Sequence, residues 1–364
     1  MSPHDPALQI LVDRVNSARD AGAQLCIRGG GTKDFYGEAP QGECLDTRVL
    51  EGTSSYEPTE LVVTTRCGTL LADLEALLAS SGQCLPFEPP RFAPGGTVGG
   101  MVAAGLSGPP RAATGSVRDF VLGATLLNGS GEVLTFGGQV MKNVAGYDVS
   151  RLLAGSLGSL GVILEVSLKV LPVAPATGTL RLQLGQAQAL DRMNDWGGAP
   201  LPINATAWHD GTLLVRLRGA LAAVQAALHT LGGEVIEPGF ATPFWDGLRD
   251  HTDEFFVRAA QAVEGGGALW RLSVPQTAPV LALSGEQLVE WGGAQRWLCS
   301  AAPAAQVRDA AARVGGHATL FRSRDKSAGV FAPLQSPLDR IHRELKKAFD
   351  PARVFNPGRL YPDL

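Results

Sequence analysis

Glycine constrains this chain more than any other residue. From Arg91 to Gly161, 16 of the 45 glycines fall within 71 residues, roughly twice an even share. A residue without a Cβ accepts positive φ and lets two backbones approach closely, at an entropic cost on folding. A chain that concentrates glycine therefore builds a shaped backbone surface in that region. A further cluster lies upstream, in Cys26-Ile27-Arg28-Gly29-Gly30-Gly31-Thr32-Lys33. It places three glycines between two cations, directly after a short apolar run. Consecutive glycines let successive N–H groups converge on one anion. Hydrogen bonds to charged groups contribute about 1.5–3 kcal/mol each, so three or four of them with Arg28 and Lys33 can hold a diphosphate. Taken alone, the motif fits a glycine-rich turn with solvated cations equally well.

Two phosphate motifs are excluded by spacing. A Walker loop ends in Gly-Lys-Ser/Thr after Gly and four residues, whereas Lys33 here follows Thr32. No Gly-x-Gly-x-x-Gly exists either: Asp34 follows Gly29 and Gly31 at the third glycine position, and Leu134 follows Gly129 and Gly131. The chain is neither a mononucleotide P-loop protein nor an ordinary NAD fold.

At 364 residues, 45% hydrophobic and 18% charged, the chain can bury a large core and make two domains. A net charge of -4 with interspersed signs argues against a nucleic-acid or anionic-membrane footprint. Five scattered cysteines, none in a Cys-x-x-Cys pair, argue against a disulfide framework, a metal site or an iron–sulfur cluster held by this chain alone. The N-terminal stretch has charges through its apolar positions and reads as a helix (Leu8, Leu11, Val12, Val15), not a secretory signal. The longest weakly polar run, TVGGMVAAGLSG, is too short to span a bilayer. A reduced, cytoplasmic protein is expected.

Gln24 to Ile27 reads as a strand, Leu61 to Thr65 as another, and TLLADLEALLASSG as a helix stopped by Gly82. VLGATLLNGSGEVLTF reads as a hairpin turning at Asn128–Gly131, and GSLGVILEVSLKVLP as a closing strand. Pro172 to Pro175 marks a break. Beyond it the order strand, helix, strand, strand, helix, strand occurs once clearly and once loosely. That pattern predicts one antiparallel sheet with helices on one face, a duplicated ferredoxin-like layer. The tail keeps Phe349, Val354, Phe355 and Leu360 among turn formers and is expected to dock on the body.

In order, RGGGTK, PGGTVGG, GSVRDFVLGA, KNVAGYDVSRLLAGSLGSLGVILEV and a terminal FNPGR resemble the FAD-binding domain of the vanillyl-alcohol oxidase type, also called PCMH-type. The resemblance covers about residues 5–172 and the last fifteen or so. LPFEPPRFAPGGTVGGMVAAGLSGP, KNVAGYDVSRLLAGSLGSLGV, GGHATLFR and FNPGRLY extend it over nearly the whole chain, to the family of E subunits of bacterial glycolate oxidase. It implies an α+β fold: a PCMH-type FAD-binding domain of two α+β subdomains (1–175), a smaller antiparallel-sheet-plus-helices domain (176–345), and a C-terminal segment returning to the first (346–364). It implies that Arg28, Gly29, Gly30, Gly31, Thr32 and Lys33 offer main-chain N–H groups to the FAD pyrophosphate. Pro94, Gly95, Gly96, Thr97, Val98, Gly99 and Gly100 would cover pyrophosphate and flavin. Gly115, Ser116 and Arg118, with Gly158, Gly161, Val162 and Ile163, would line the ribityl and adenine side, and Asn356 would sit at the flavin ring end.

Covalent members of the family attach flavin through a histidine near the first glycine loop. None of the six histidines lies there, so FAD is expected to be noncovalent. Related hydroxy-acid dehydrogenases carry Gly-Ser-Glu-Gly-Thr and a metal-binding histidine cluster; here Leu157 replaces the Glu and no such cluster exists, which argues against independent oxidation of a hydroxy acid. Arg322 and Arg271 are candidate carboxylate clamps, because a guanidinium binds a carboxylate bidentately; an ion pair is the plainer reading. His317 or His209 could serve as base, or be hydrogen-bonded core residues. Tyr147 and Lys142 are candidates for approach to the flavin. Three functions remain open: an FAD-binding subunit of glycolate oxidase, a self-sufficient FAD-dependent 2-hydroxy-acid dehydrogenase, or a flavin-free scaffold. The first implies a catalytic flavoprotein subunit and an iron–sulfur subunit as partners, a small 2-hydroxy acid such as glycolate as substrate, glyoxylate as product, and attachment to the inner membrane only through the complex.

Overall fold

The computed structural model of the chain describes residues 5–138 and 148–364. Two compact units emerge: Met1–Leu106 with Ser116–Pro172 and Pro333–Leu364, and Ser107–Gly115 with Val173–Ala332. The return to the first unit therefore starts at Pro333, not at 346. The reason is the helix Leu338–Phe349, whose Leu345 and Phe349 pack on the first unit's core. Residues 107–115, expected in the first domain, group with the second.

In the first unit the helix Pro6–Ala21 begins where the Asp5 carboxylate accepts the Ala7 N–H (2.9 Å), with proline in its first turn, and stops at Gly22 (φ 64°). Strand β1 (Leu25–Arg28) follows and runs parallel to β2 (Glu43–Asp46). The chain's last segment bridges β1 in parallel at Leu25 and Phe355: the Leu25 N–H donates to Val354 O (2.7 Å) and the Asn356 N–H to Leu25 O (2.8 Å). Next come β3 (Thr53–Glu57), β4 (Val62–Arg66), β5 (Gln83–Cys84), β6 (Val121–Leu127), β7 (Val133–Gly137), β8 (Val162–Lys169) and β9 (Leu171–Pro172). A five-stranded antiparallel sheet takes the order β3-β4-β8-β6-β7. The β6–β7 turn is closed by Asn128, whose Oδ1 accepts the N–H groups of Ser130 (3.0 Å) and Glu132 (2.9 Å), with Gly131 at φ 81°. Leu71, Leu74 and Leu78 of the helix Leu71–Ser80 join Leu8, Leu11 and Val15 in the core.

The second unit contributes β10 (Ala176–Gln183), β11 (Ile203–His209), β12 (Thr212–Gly219), β13 (Glu234–Ile236), β14 (Ala268–Ser273), β15 (Glu286–Glu290), β16 (Gln295–Ser300) and β17 (His317–Arg322). They form one eight-stranded sheet, β13-β10-β12-β11-β15-β16-β14-β17. Its halves are two ferredoxin-like arrangements joined through β11 and β15, which pair antiparallel. The second half carries a loop between β14 and β15 where the first has the helix Gln186–Gly197.

The helices Gln186–Gly197, Leu221–Leu231 and Ala304–Arg313 pack on one face through Leu190, Val224 and Val307. The opposite face is covered as well, which departs from the one-sided layer expected. Trp245 in the helix Pro238–Asp250 donates through Nε1 to Thr179 Oγ1 (3.0 Å), on the face opposite buried Leu180. Phe256 in the helix Glu254–Glu264 meets the Trp297 ring edge-on at 5.2 Å. This segment carries no element in the sequence reading; Pro243 stands inside the first of these helices, which starts at Pro238-Gly239.

Under this second layer Glu290 is 3% exposed and accepts from Trp297 Nε1 (2.6 Å) and Gln295 Nε2 (3.0 Å). Burial pushes its carboxyl up to about 7, against the pull of those donors. A folded-state value above the unfolded one gives stability that is complete below about pH 4.5 and is lost as pH rises through 7. Urea denaturation of wild type and Glu290→Gln across this range checks this: the wild type should lose roughly 1–3 kcal/mol more than the variant between pH 5 and 8. Equal slopes would rule out a buried, titrating Glu290.

Candidate functional site

Two glycine loops of the first unit meet in direct backbone contact. A Cβ on Gly30 would fall 1.6 Å from Gly95 O, and one on Gly29 would fall 2.3 Å from Thr97 Oγ1. Gly31 turns the loop at φ 71°. These glycines are thus dictated first by how the loops pack against each other. The result is a surface of bare backbone: the N–H groups of Gly30, Gly31 and Thr32 donate to no acceptor among the described residues. The opposing loop enters the helix Val98–Ala104, with Thr97 Oγ1 accepting the Gly100 N–H (3.2 Å) and the Gly99 N–H donating to Cys67 O (2.8 Å).

Of the residues expected at a cofactor, Arg28 to Lys33, Thr97, Gly99, Gly100, Gly158, Gly161, Ile163 and Asn356 line a single cavity. Gly95 and Gly96 stand beside it, against Gly30 and Thr32. Pro94 is exposed, and Val98 and Val162 point into the core at 0% exposure. Ser116 lies elsewhere, its N–H and Oγ both donating to Asp119 Oδ2 (2.8 Å each), and Arg118 is exposed beside Asp119. Gly115 ends the turn Arg111–Thr114 at φ 101° and groups with the second unit.

Charge is distributed differently from the sequence expectation. Arg28 folds back onto Asp34, with Nη2–Oδ2 at 2.7 Å, rather than standing open to an anion. Lys33 Nζ lies 3.5 Å from Thr32 Oγ1 and over the Phe92 ring. A buried cation that sequence reasoning passed over, Arg359, lines the cavity at 8% exposure and donates to Asp34 O (2.9 Å) and Glu38 O. The signal was present, since Arg359 belongs to the same FNPGR as Asn356.

Asn356 ties three segments together. Its Oδ1 accepts the Ile27 N–H (2.7 Å), its Nδ2 donates to Leu157 O (2.5 Å), and its own N–H binds Leu25. At φ 43° it occupies the left-handed region that Asn tolerates. Leu157 at φ 48°, with its N–H on Ala103 O (2.9 Å), delivers the carbonyl. Behind Asn356, the Lys346 ammonium donates to Asp350 Oδ2 (2.7 Å), Phe355 O (2.8 Å) and Ser159 O (2.9 Å).

Of the catalytic candidates, Arg322 does not line this cavity. Tyr147 and Lys142 lie outside the described residues. Arg322 ends β17 in the second unit, half-buried, with burial holding its guanidinium down at about 10. His251 nearby is pushed well below its usual range by burial and by Arg322 and Arg271, within a wall of Phe256, Trp297 and Phe321. His209 Nε2 pairs with Glu286 Oε1 (2.8 Å), and His317 is exposed.

A cavity walled by glycine backbone, with open N–H groups and the buried Arg359 guanidinium on its lining, offers the donors that an anion needs, and the first unit is an FAD-binding domain: residues 8–137 match the family described as "FAD binding domain". Glycolate oxidase subunit GlcE of Escherichia coli (strain K12) is 47% identical over 356 residues, 98% of each chain. The chain belongs to the GlcE family. Glycolate oxidase subunit GlcD of Bacillus subtilis (strain 168) is 30% identical over 162 residues, 44% of this chain and 33% of that one. Among solved structures, an alkyldihydroxyacetonephosphate synthase superposes with a TM-score of 0.66 at 14% identity, over 98% of this chain and 75% of the other. That likeness concerns the fold. No helix among the described residues is long and apolar enough to cross a membrane.

Proposed function

We propose that this chain is the FAD-holding subunit of a multi-subunit glycolate oxidase, working beside a catalytic flavoprotein subunit and an iron–sulfur subunit in the oxidation of glycolate to glyoxylate. The observation that carries this reading is the cradle: Gly30, Gly31 and Thr32 line the cavity with N–H groups that donate to no acceptor among the described residues, and a Cβ added at Gly30 would collide with Gly95 O beside it. The GlcE likeness along the whole chain supplies the reaction class. Gly30 to Lys33 would hold the pyrophosphate, Thr97 to Gly100 would cover it, and Gly158, Gly161 and Ile163 would take the remainder. FAD bound there would supply a hydride acceptor that can pass electrons onward.

Noncovalent attachment is supported by the lining. Among the described residues no histidine borders the cavity, and its cysteine, Cys67, is fully buried with the thiol pushed up to about 12. It is no nucleophile at neutral pH. Arg322 is the candidate for the substrate carboxylate, since a value of about 10 leaves it cationic and Arg271 adds charge at the same buried spot. Partners and a cytoplasmic location are part of the same proposal.

The test is co-purification with the products of neighbouring genes, recording flavin and iron per chain and glycolate-dependent dye reduction. The expected result is FAD in this chain, iron in a partner, and dye reduction only with the complex. A colourless chain within an active complex would leave a scaffold. Flavin reduction by glycolate in the isolated chain would make it a dehydrogenase in its own right.

A further inference from the structure

The face of β1 and β2 turned away from the core carries two thiols side by side. The strands run parallel with Cys26 registered directly on Cys44. Leu25 and Leu45 point inward and are buried, whereas Cys44 is exposed and Cys26 half-buried. Side chains of residues in register emerge on the same side of a sheet, and neighbouring strands lie about 4.8 Å apart. That separation falls within the Cα range of about 4.4–6.8 Å that a disulfide spans. The Cβ atoms of a disulfide sit closer, about 3.5–4.5 Å apart, so the strands must draw together slightly. β2 can do so, because it is four residues long and among the described residues pairs with no strand but β1. A bond closed under such strain is easily reduced again.

The other cysteines lack this geometry. Cys67 is fully buried. Cys84 is registered on Leu171, and Cys299 on Leu269 and Glu286. The charges around Cys26 are mixed: burial pushes its thiol up, Arg359 and Arg28 pull it down, and Asp34 opposes them. The exposed Cys44 is therefore the thiol that a reagent reaches first, and Cys26 the one that resolves.

We propose that Cys26 and Cys44 form a dithiol modification site that low-molecular-weight disulfides convert to an internal disulfide. The Cys44 thiolate attacks one sulfur of the reagent and expels the first small thiolate. The Cys26 thiolate then attacks Cys44 Sγ, forming the protein disulfide and expelling the second. Two protein thiols are oxidised and one external disulfide is reduced to two thiols, which take up the protons the protein thiols release. This rests on strand register alone and is independent of what the glycine cradle binds.

The experiment treats the purified full-length chain with oxidised glutathione, blocks remaining thiols and maps peptides by mass spectrometry. The expected product has lost the mass of two hydrogen atoms, contains a linked Cys26–Cys44 peptide and reverts with reductant. Cys26→Ser should instead retain a glutathione adduct on Cys44, and Cys84→Ser or Cys299→Ser should leave the linkage intact. A stable adduct on Cys44 in the wild type, a bridge between chains, or a Cys26 that stays open to alkylation would overturn the proposal. The wild-type map decides the matter even where a serine variant fails to fold.

Discussion

Gly30→Ala should lose FAD. The Cβ it introduces would lie 1.6 Å from the carbonyl oxygen of Gly95, a backbone atom that no rotamer change can move. Relief requires the two loops to part, and parting displaces the backbone of Gly30, Gly31 and Thr32 that lines the cavity. Overpacking costs roughly 1–3 kcal/mol or more. At about 1.4 kcal/mol per decade, FAD affinity should fall by about one to two orders of magnitude. Fluorescence titration of flavin into the purified chain measures this. Gly239→Ala is the control: its Cβ meets nothing within 4 Å, and its affinity should match wild type. Unchanged affinity in Gly30→Ala would mean that the cradle is not where flavin phosphates bind.

The second large effect lies behind the cavity. Lys346 and Asp350 are 4% and 0% exposed, and their pair is fully hydrogen-bonded. Asp350 also accepts the N–H groups of Val354 (Oδ1, 2.9 Å) and Phe355 (Oδ2, 2.8 Å). Lys346→Met leaves a buried carboxylate without its cation, a change that costs about 3–5 kcal/mol. The segment it fixes is the one that carries Asn356 onto β1. Chemical denaturation should therefore show the first unit's transition shifted to lower denaturant. Lys346→Met combined with Asp350→Asn should recover part of the loss, because the uncompensated charge is then gone. A loss below about 1 kcal/mol in the single variant would show that the pair contributes no more than a surface bridge.

Local patterns carried much of this structure in legible form. The helix at Pro6 is legible in the spacing of Leu8, Leu11, Val12 and Val15, and the Asn128–Gly131 turn in its own turn-forming residues. The duplicated strand order beyond Pro175 was readable from periodicity, and its halves do join through β11 and β15. The helix Pro238–Asp250 is hard to read, because Pro243 interrupts the local signal and burial of Trp245 against the sheet holds it there; the helix Glu254–Glu264 carries an Asp253 cap and apolar residues at helical spacing, yet has no element in the sequence reading.

The candidate site divides along the same line. By itself the sequence determined which residues have the conformational freedom to form a cradle, since φ and the absence of a Cβ are properties of each glycine, and the order of the motifs pointed to FAD. Only the tertiary structure decided what those residues touch. It gave Arg28 to Asp34, placed Arg359 at the cavity, and engaged both side-chain atoms of Asn356 with Ile27 and Leu157. Asn356 and Ile27 are 329 residues apart. No local propensity encodes such a contact; it exists because the last segment docks beside β1 and the buried Lys346–Asp350 pair holds it there.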